Sequence, residues 1–96
     1  MMKAEFEKFY NAEVSAEIYA EIEYVYNFHP AIPDVGGKQK IADIFRVGGI
    51  GVIRSMRPVA EMAEKAEKEI LHKRHQIAEI EKEIAEIRAT LRPYEG

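Results

Sequence analysis

Residues 59–91, VAEMAEKAEKEILHKRHQIAEIEKEIAEIRATL, decide the fold. Val59, Ala63, Ala66, Ile70, Lys73, Ile77, Ile80, Ile84, Ile87 and Leu91 follow one another there at alternating intervals of four and three. An average interval of three and a half keeps a stripe on one face of a supercoiling helix, so the stretch is a heptad repeat. With a at 63, 70, 77, 84 and 91, d falls at 59, 66, 73, 80 and 87, and Lys73 alone breaks the apolar series. Arg74, Glu81 and Arg88 take e positions, where ion pairs between helices help to choose partner and register. A helix over 59–92 is expected to be about 50 Å long, whereas a compact chain of this length is only about 30 Å across. Such a helix is expected to project, and its seam of Ile70, Ile77, Ile80, Ile84, Ile87 and Leu91 needs a cover. That cover is either another copy of the chain or the first helix folded back as a hairpin, and the sustained heptads favour another copy. Isoleucine at both a and d favours trimers or tetramers over parallel dimers, a preference that Lys73 and the alanines at 63 and 66 can override.

Upstream, Met2 to Phe28 holds no Gly or Pro and spaces Phe6, Phe9, Tyr10, Val14, Ile18, Ile22, Val25 and Tyr26 as a helical stripe. Ile18, Ala20, Ile22, Tyr24, Tyr26 and Phe28 also alternate as on a strand, but Glu17, Glu21 and Glu23 with Ala16 and Ala20 favour a first helix over 1–28. Pro30 and Pro33 stop it. The segment 34–58 then reads as two short helices, about 38–47 with Gly48 as its C-terminal cap and about 50–56, with apolar faces of Ile41, Ile44 and Phe45 and of Ile50, Ile53 and Met56. Pro58 either kinks a continuing helix or opens a new one, with Ser55 as N-cap. The expected fold class is all-α: a single domain over 1–96, with two long helices joined by short Gly- and Pro-bounded ones.

Composition narrows the function classes. The chain has 96 residues, 14 basic against 17 acidic side chains, 47% hydrophobic residues and no cysteine. That is too apolar for intrinsic disorder, and no uncharged run approaches the roughly 18 residues of a membrane span. Lys3, Glu5 and Glu7 interrupt the place of a signal-peptide apolar region, so a soluble cytoplasmic protein is expected. Without cysteine there is neither a disulfide framework nor a thiolate zinc site. Ser15, Ser55 and Thr90 lack a nucleophile setting, so neither enzymatic activity nor a cofactor is expected.

Charge is uneven along the chain: residues 1–33 sum to −4, 34–58 to +3 and 59–96 to −2. The middle segment gathers Lys38, Lys40, Arg46, Arg54 and Arg57. Gly36 and Gly37 before Lys38 and Lys40 open a helix whose exposed amides suit an anion. Ile32 and Gln39 stand where a phosphate-binding P-loop needs Gly and Ser or Thr, so capping and turning are the plainer roles of these glycines. Arg54 likewise spoils a dinucleotide fingerprint at Gly49 and Gly51. Tyr26, Phe28 and His29 form an aromatic cluster beside the basic segment, suited to stacking on a planar ligand or to plugging a corner between helices. In rhythm, Phe28-His29-Pro30 ahead of a short helix is similar to small helical phage proteins that sequester cyclic nucleotides; the likeness covers about ten residues without a diagnostic motif and assigns no family. Glu69 and His72 have the Glu-x-x-His spacing of di-iron bundles, but His72 at c and His75 at f turn both imidazoles off the seam, so no metal site is expected.

These readings predict a non-enzymatic, homo-oligomeric interaction protein whose basic middle segment meets a protein partner, a plan common among phage and mobile-element accessory proteins, including inhibitors of host defence. The alternative is a module for an anionic small molecule such as a nucleotide, held by Gly36, Gly37, Lys38, Lys40 and Arg46. A helix-turn-helix DNA binder is weaker, because the protein is net acidic and neither long helix carries a basic stripe.

Overall fold

The computed structural model describes the backbone of residues 1–95 and the side chains of residues 1–91; Gly96 lies outside the described residues. Its elements are α1 (Lys3–Tyr10), α2 (Ala16–Phe28) and α3 (Gly37–Glu95), so the chain is all-α with a long C-terminal helix. It divides into two compact units, Met1–Lys65 and Ala66–Gly96.

The single helix expected over 1–28 is two helices. Asn11 adopts left-handed backbone geometry (φ 65°) and its N–H donates to the Glu7 carbonyl, ending α1 with a residue type that tolerates this conformation. The Glu7 carboxylate then accepts from the Val14 N–H at 2.9 Å, and the Ser15 hydroxyl accepts from the Ile18 N–H at 3.1 Å, capping α2. Tyr10, Val14 and Ile18 continue the four-residue spacing across this break, so hydrophobic periodicity alone conceals it. The strand reading of the second half does not hold: residues 17–28 lie within α2.

After Phe28 the backbone turns through the prolines. The His29 N–H donates to Val25, and its Nδ1 accepts from the Ala31 N–H at 3.1 Å, which orients the ring by a local bond. Gly36 (φ 78°) completes the turn into α3. Gly37 sits tightly: a Cβ there would lie 3.1 Å from Ile32 Cγ2 and 3.3 Å from Tyr26 Cε2.

Within α3 the helical path is interrupted once, at Gly49 (φ 67°, ψ −163°), one residue beyond the expected cap at Gly48. That region of backbone space is essentially open to glycine alone. The interruption separates 37–48 from 50–95, whereas no second break occurs at Pro58. Pro58 removes one helical donor and the helix continues. Ser55 is no N-cap, since its hydroxyl donates back to the Val52 carbonyl at 2.6 Å.

The core lies in the first unit. Phe6 of α1, Tyr19, Ile22 and Val25 of α2, Ile32 of the turn, and Ile41, Ala42 and Ile53 of α3 form one buried cluster. Val14, Ile18, Ile44, Phe45, Ile50 and Met56 pack around it. Phe6, Tyr10 and Phe45 meet ring to ring, with Tyr10 and Phe45 edge-on at 4.9 Å between centroids. No polar side chain is buried among the described residues, so the unit is held by apolar packing and by polar contacts at its surface.

Two glycines give opposite expectations. Gly49→Ala forces a side chain into a glycine-only conformation and is expected to cost about 1–3 kcal/mol. Gly51 is helical, and a Cβ there meets nothing within 4 Å, so Gly51→Ala should stabilise by about 0.5–1 kcal/mol. Urea unfolding of both variants checks the pair; equal effects of one sign would contradict the described break.

Candidate functional site

The heptad face is the largest unsatisfied feature. In the second unit Ile70, Ile77, Ile80, Ile84, Ile87 and Leu91 are between 43% and 59% exposed, and none of the described side chains from 66 onward is buried. Phe6, Ile22 and Val25, large apolar residues of α1 and α2, are buried in the core of the first unit. His72 and His75 are exposed, with Lys68, Leu71 and Arg74 around them. No group of three or more potential metal ligands occurs among the described residues.

The five cations of the middle segment do not gather around a common point. Lys38 pairs with Glu5 at 2.5 Å, and Lys40 donates to the Ala31 carbonyl at 2.9 Å. Arg54 grips Glu21 through two nitrogens at 3.1 and 3.3 Å. Arg57 pairs with Glu61 at 2.9 Å and lies over the Tyr24 ring at 5.0 Å from its centroid. Arg46 does most: it bonds Asp43 at 2.5 Å, donates to the Phe9 and Tyr10 carbonyls at 2.8 and 3.2 Å, and stands 5.7 Å over the Tyr10 ring. A guanidinium at the end of α1 satisfies carbonyls that lack helical donors and meets the negative end of the helix dipole. Lys38, Arg46 and Arg54 therefore tie α3 to α1 and α2.

The aromatic cluster is likewise partnered within the unit. Tyr26 packs against the core and beside Gly37. Phe28 meets the Tyr24 ring at 5.1 Å, and the Tyr24 hydroxyl donates to the Glu64 carboxylate. That bond, with burial behind it, pushes the Tyr24 pKa up to about 12. Burial first, and then the Glu23 carboxylate, raises Tyr19 further, while the Tyr19 hydroxyl donates to the Met1 carbonyl at 2.7 Å. Glu5 is held below its ordinary value, first by the Lys38 hydrogen bond and then by the Met2 N–H. Glu5 in turn raises Lys38.

One surface is absent from the sequence reading. Asp43, Ile44, Val47, Gly48 and Val52 line an open groove of about 390 Å³ at the Gly49 break. Val47 is 91% exposed there, and a Cβ on Gly48 would overlap the Val52 side chain. The groove exists because Gly49 redirects the backbone and Gly48 leaves room for Val52. The run of glycines carries a sequence signal for a break, but no pattern tells which neighbouring side chains a break will expose.

Three outcomes follow. Arg46→Ala should lower stability by about 1–2 kcal/mol through the lost carbonyl bonds. Inorganic phosphate should leave the melting temperature of the unsubstituted chain unchanged; a saturable rise abolished by Lys38→Ala would instead favour an anion site. The third outcome concerns pH. Raised tyrosine and lysine values contribute stability that is complete below their ordinary range and lost as pH climbs through the folded values, whereas the lowered Glu5 contributes above its ordinary range and loses it on acidification. For these groups the acid loss begins as pH falls through the ordinary carboxylate range, and the alkaline loss as it rises through the ordinary tyrosine and lysine range. In alkaline titration of phenolate absorbance, Tyr24→Phe and Tyr19→Phe should each remove a component that titrates above the ordinary tyrosine range; loss of a component within that range would contradict these contacts. Compared with protein-family models, with curated proteins and with solved structures, the chain matches none of them, so the roles of its residues rest on this geometry.

Proposed function

We propose that the chain is a non-enzymatic interaction protein that associates with copies of itself through the heptad face of residues 66–91 and offers its first unit, Met1–Lys65, to a protein partner. The observation that carries the reading is the apolar face itself: six large aliphatic side chains at heptad spacing, each about half exposed in the isolated chain. Completing the burial of each contributes on the order of 1 kcal/mol, half the value for a fully exposed side chain. A row of this kind on a lone helix favours association. On the first unit the groove beside Gly48 and Val47 is the surface best suited to an apolar partner side chain.

The anionic-ligand reading draws less support, because Lys38, Lys40, Arg46, Arg54 and Arg57 each have a partner inside the chain that a ligand would have to displace. DNA binding would need the same cations for phosphate contacts. No helix among the described residues is long and apolar enough to cross a membrane. A cytoplasmic setting and a role like that of phage or mobile-element accessory proteins, inhibitors of host defence among them, belong to the proposal by analogy of plan alone.

The test is Ile77→Asp with Ile84→Asp, read by light scattering. The variant is expected at the 11.0 kDa mass of one chain. The near-ultraviolet signal of the first unit should persist, because the aromatic contacts Phe6, Tyr10, Tyr19 and Phe45 make all lie within that unit. An unchanged oligomeric mass would show that the heptad face is not the association surface.

A further inference from the structure

The charges flanking the seam carry its geometry further than its apolar residues do. Glu67, Arg74, Glu81 and Arg88 occupy the e positions in alternating sign, seven residues apart. On their own helix none has an opposite charge three or four residues away, and none has an ion pair among the described residues. Glu83, at g, is in the same position, with Glu79 and Glu86 as its charged neighbours on the helix. By contrast, His75 has Glu79 at 4.0 Å on the outer face. The unpaired charges thus border the apolar stripe, where only another helix can reach them.

Building on the proposed self-association, we infer that the occupant of the seam is a second copy running antiparallel, in a dimer whose two-fold axis passes between Ala78 and Glu79. Antiparallel pairing sets a against d and e against e. In this register Ile77 faces Ile80 of the second copy, Ile70 faces Ile87, and the large Leu91 faces the small Ala66. Along the flank Glu67 meets Arg88 and Arg74 meets Glu81, four attractive pairs in the dimer with no like-charge pair. A shift by one heptad in either direction destroys this. One shift sets Arg74 against Arg74 and Glu67 against Glu81; the other sets Glu81 against Glu81 and Arg74 against Arg88. The alternation of sign therefore selects one antiparallel register, as e-position charges do in coiled coils generally.

An in-register parallel dimer would also find attractive pairs, Glu69 with Arg74 and Glu83 with Arg88. Lys73 decides between the two. At d in a parallel pair it faces Lys73 of the second copy and lies beside that copy's Arg74, which gathers like charge inside the seam. In the antiparallel register it faces Ile84 and lies beside Glu83 of the second copy, supplying the otherwise unpaired Glu83 with a cation. The single charged break in the heptads thus acts as a device that excludes the parallel arrangement.

The experiment uses the full chain, which has no native cysteine. Ala66→Cys and Leu91→Cys, prepared separately and mixed under mild oxidation, should give a covalent dimer joining position 66 to position 91, while Ala66→Cys alone should remain unlinked. Glu81→Arg should weaken the dimer about tenfold, because two symmetry-related pairs change sign, and Arg74→Glu in the same chain should restore it. In a parallel dimer Glu81 faces Gln76, so Glu81→Arg would do nothing and the double change would weaken association through Glu69. A self-linked Ala66→Cys dimer, or a mass above two chains, would overturn the antiparallel dimer and leave self-association standing. A chain that remains monomeric by sedimentation at all concentrations would overturn self-association as well.

Discussion

The packing of Phe6, Ile22 and Val25 onto Ile41 and Ile53 is the contact on which the rest depends. It consumes the apolar faces of α1 and α2, leaving the heptad residues of the second unit exposed. A chain of 96 residues holds enough large side chains for one core, and this one is complete by Ala60. From Ala66 to Leu91 every described side chain is exposed. The surface electrostatics serve the same core, because Lys38, Arg46 and Arg54 join α3 to the two helices it packs against.

Much of this was legible in the residues. Four-and-three spacing from Val59 to Leu91 announces a long helix, and the spacing of Ile41, Ile44 and Phe45 marks the side of α3 that meets the core. The break between α1 and α2 was not legible, because apolar spacing continues through Asn11 and Ser15 while only local hydrogen bonding reveals the turn. Tyr19 and Ile32 were also missed. Tyr19 lies off the stripe that periodicity picks out, and Ile32 sits between two prolines, where no regular pattern exists; tertiary packing buries both.

The candidate site divides in the same way. An exposed stripe can be counted from sequence, whereas whether a cation is available to a ligand depends on what stands opposite it in space. Glu5 lies 33 residues from Lys38, and the Phe9 carbonyl 37 from Arg46, so no local spacing could reveal that these charges are engaged. Seen with their partners, they bind elements of the fold to one another. The e-position charges are the reverse case: their neighbours on the helix are known from sequence, and the structure adds that nothing else in the described chain reaches them.

Lys73 and the Gly49 break illustrate how departures from an ideal pattern carry information. One interrupts an apolar repeat at a place where like charges would meet in a parallel pair, and the other interrupts a helix at a place that exposes Val47. The proposed function rests on self-association through residues 66–91. Native mass spectrometry of the unmodified protein is the decisive measurement: an antiparallel dimer gives a principal species at twice the 11.0 kDa chain mass, and a spectrum containing only the single chain would rule self-association out.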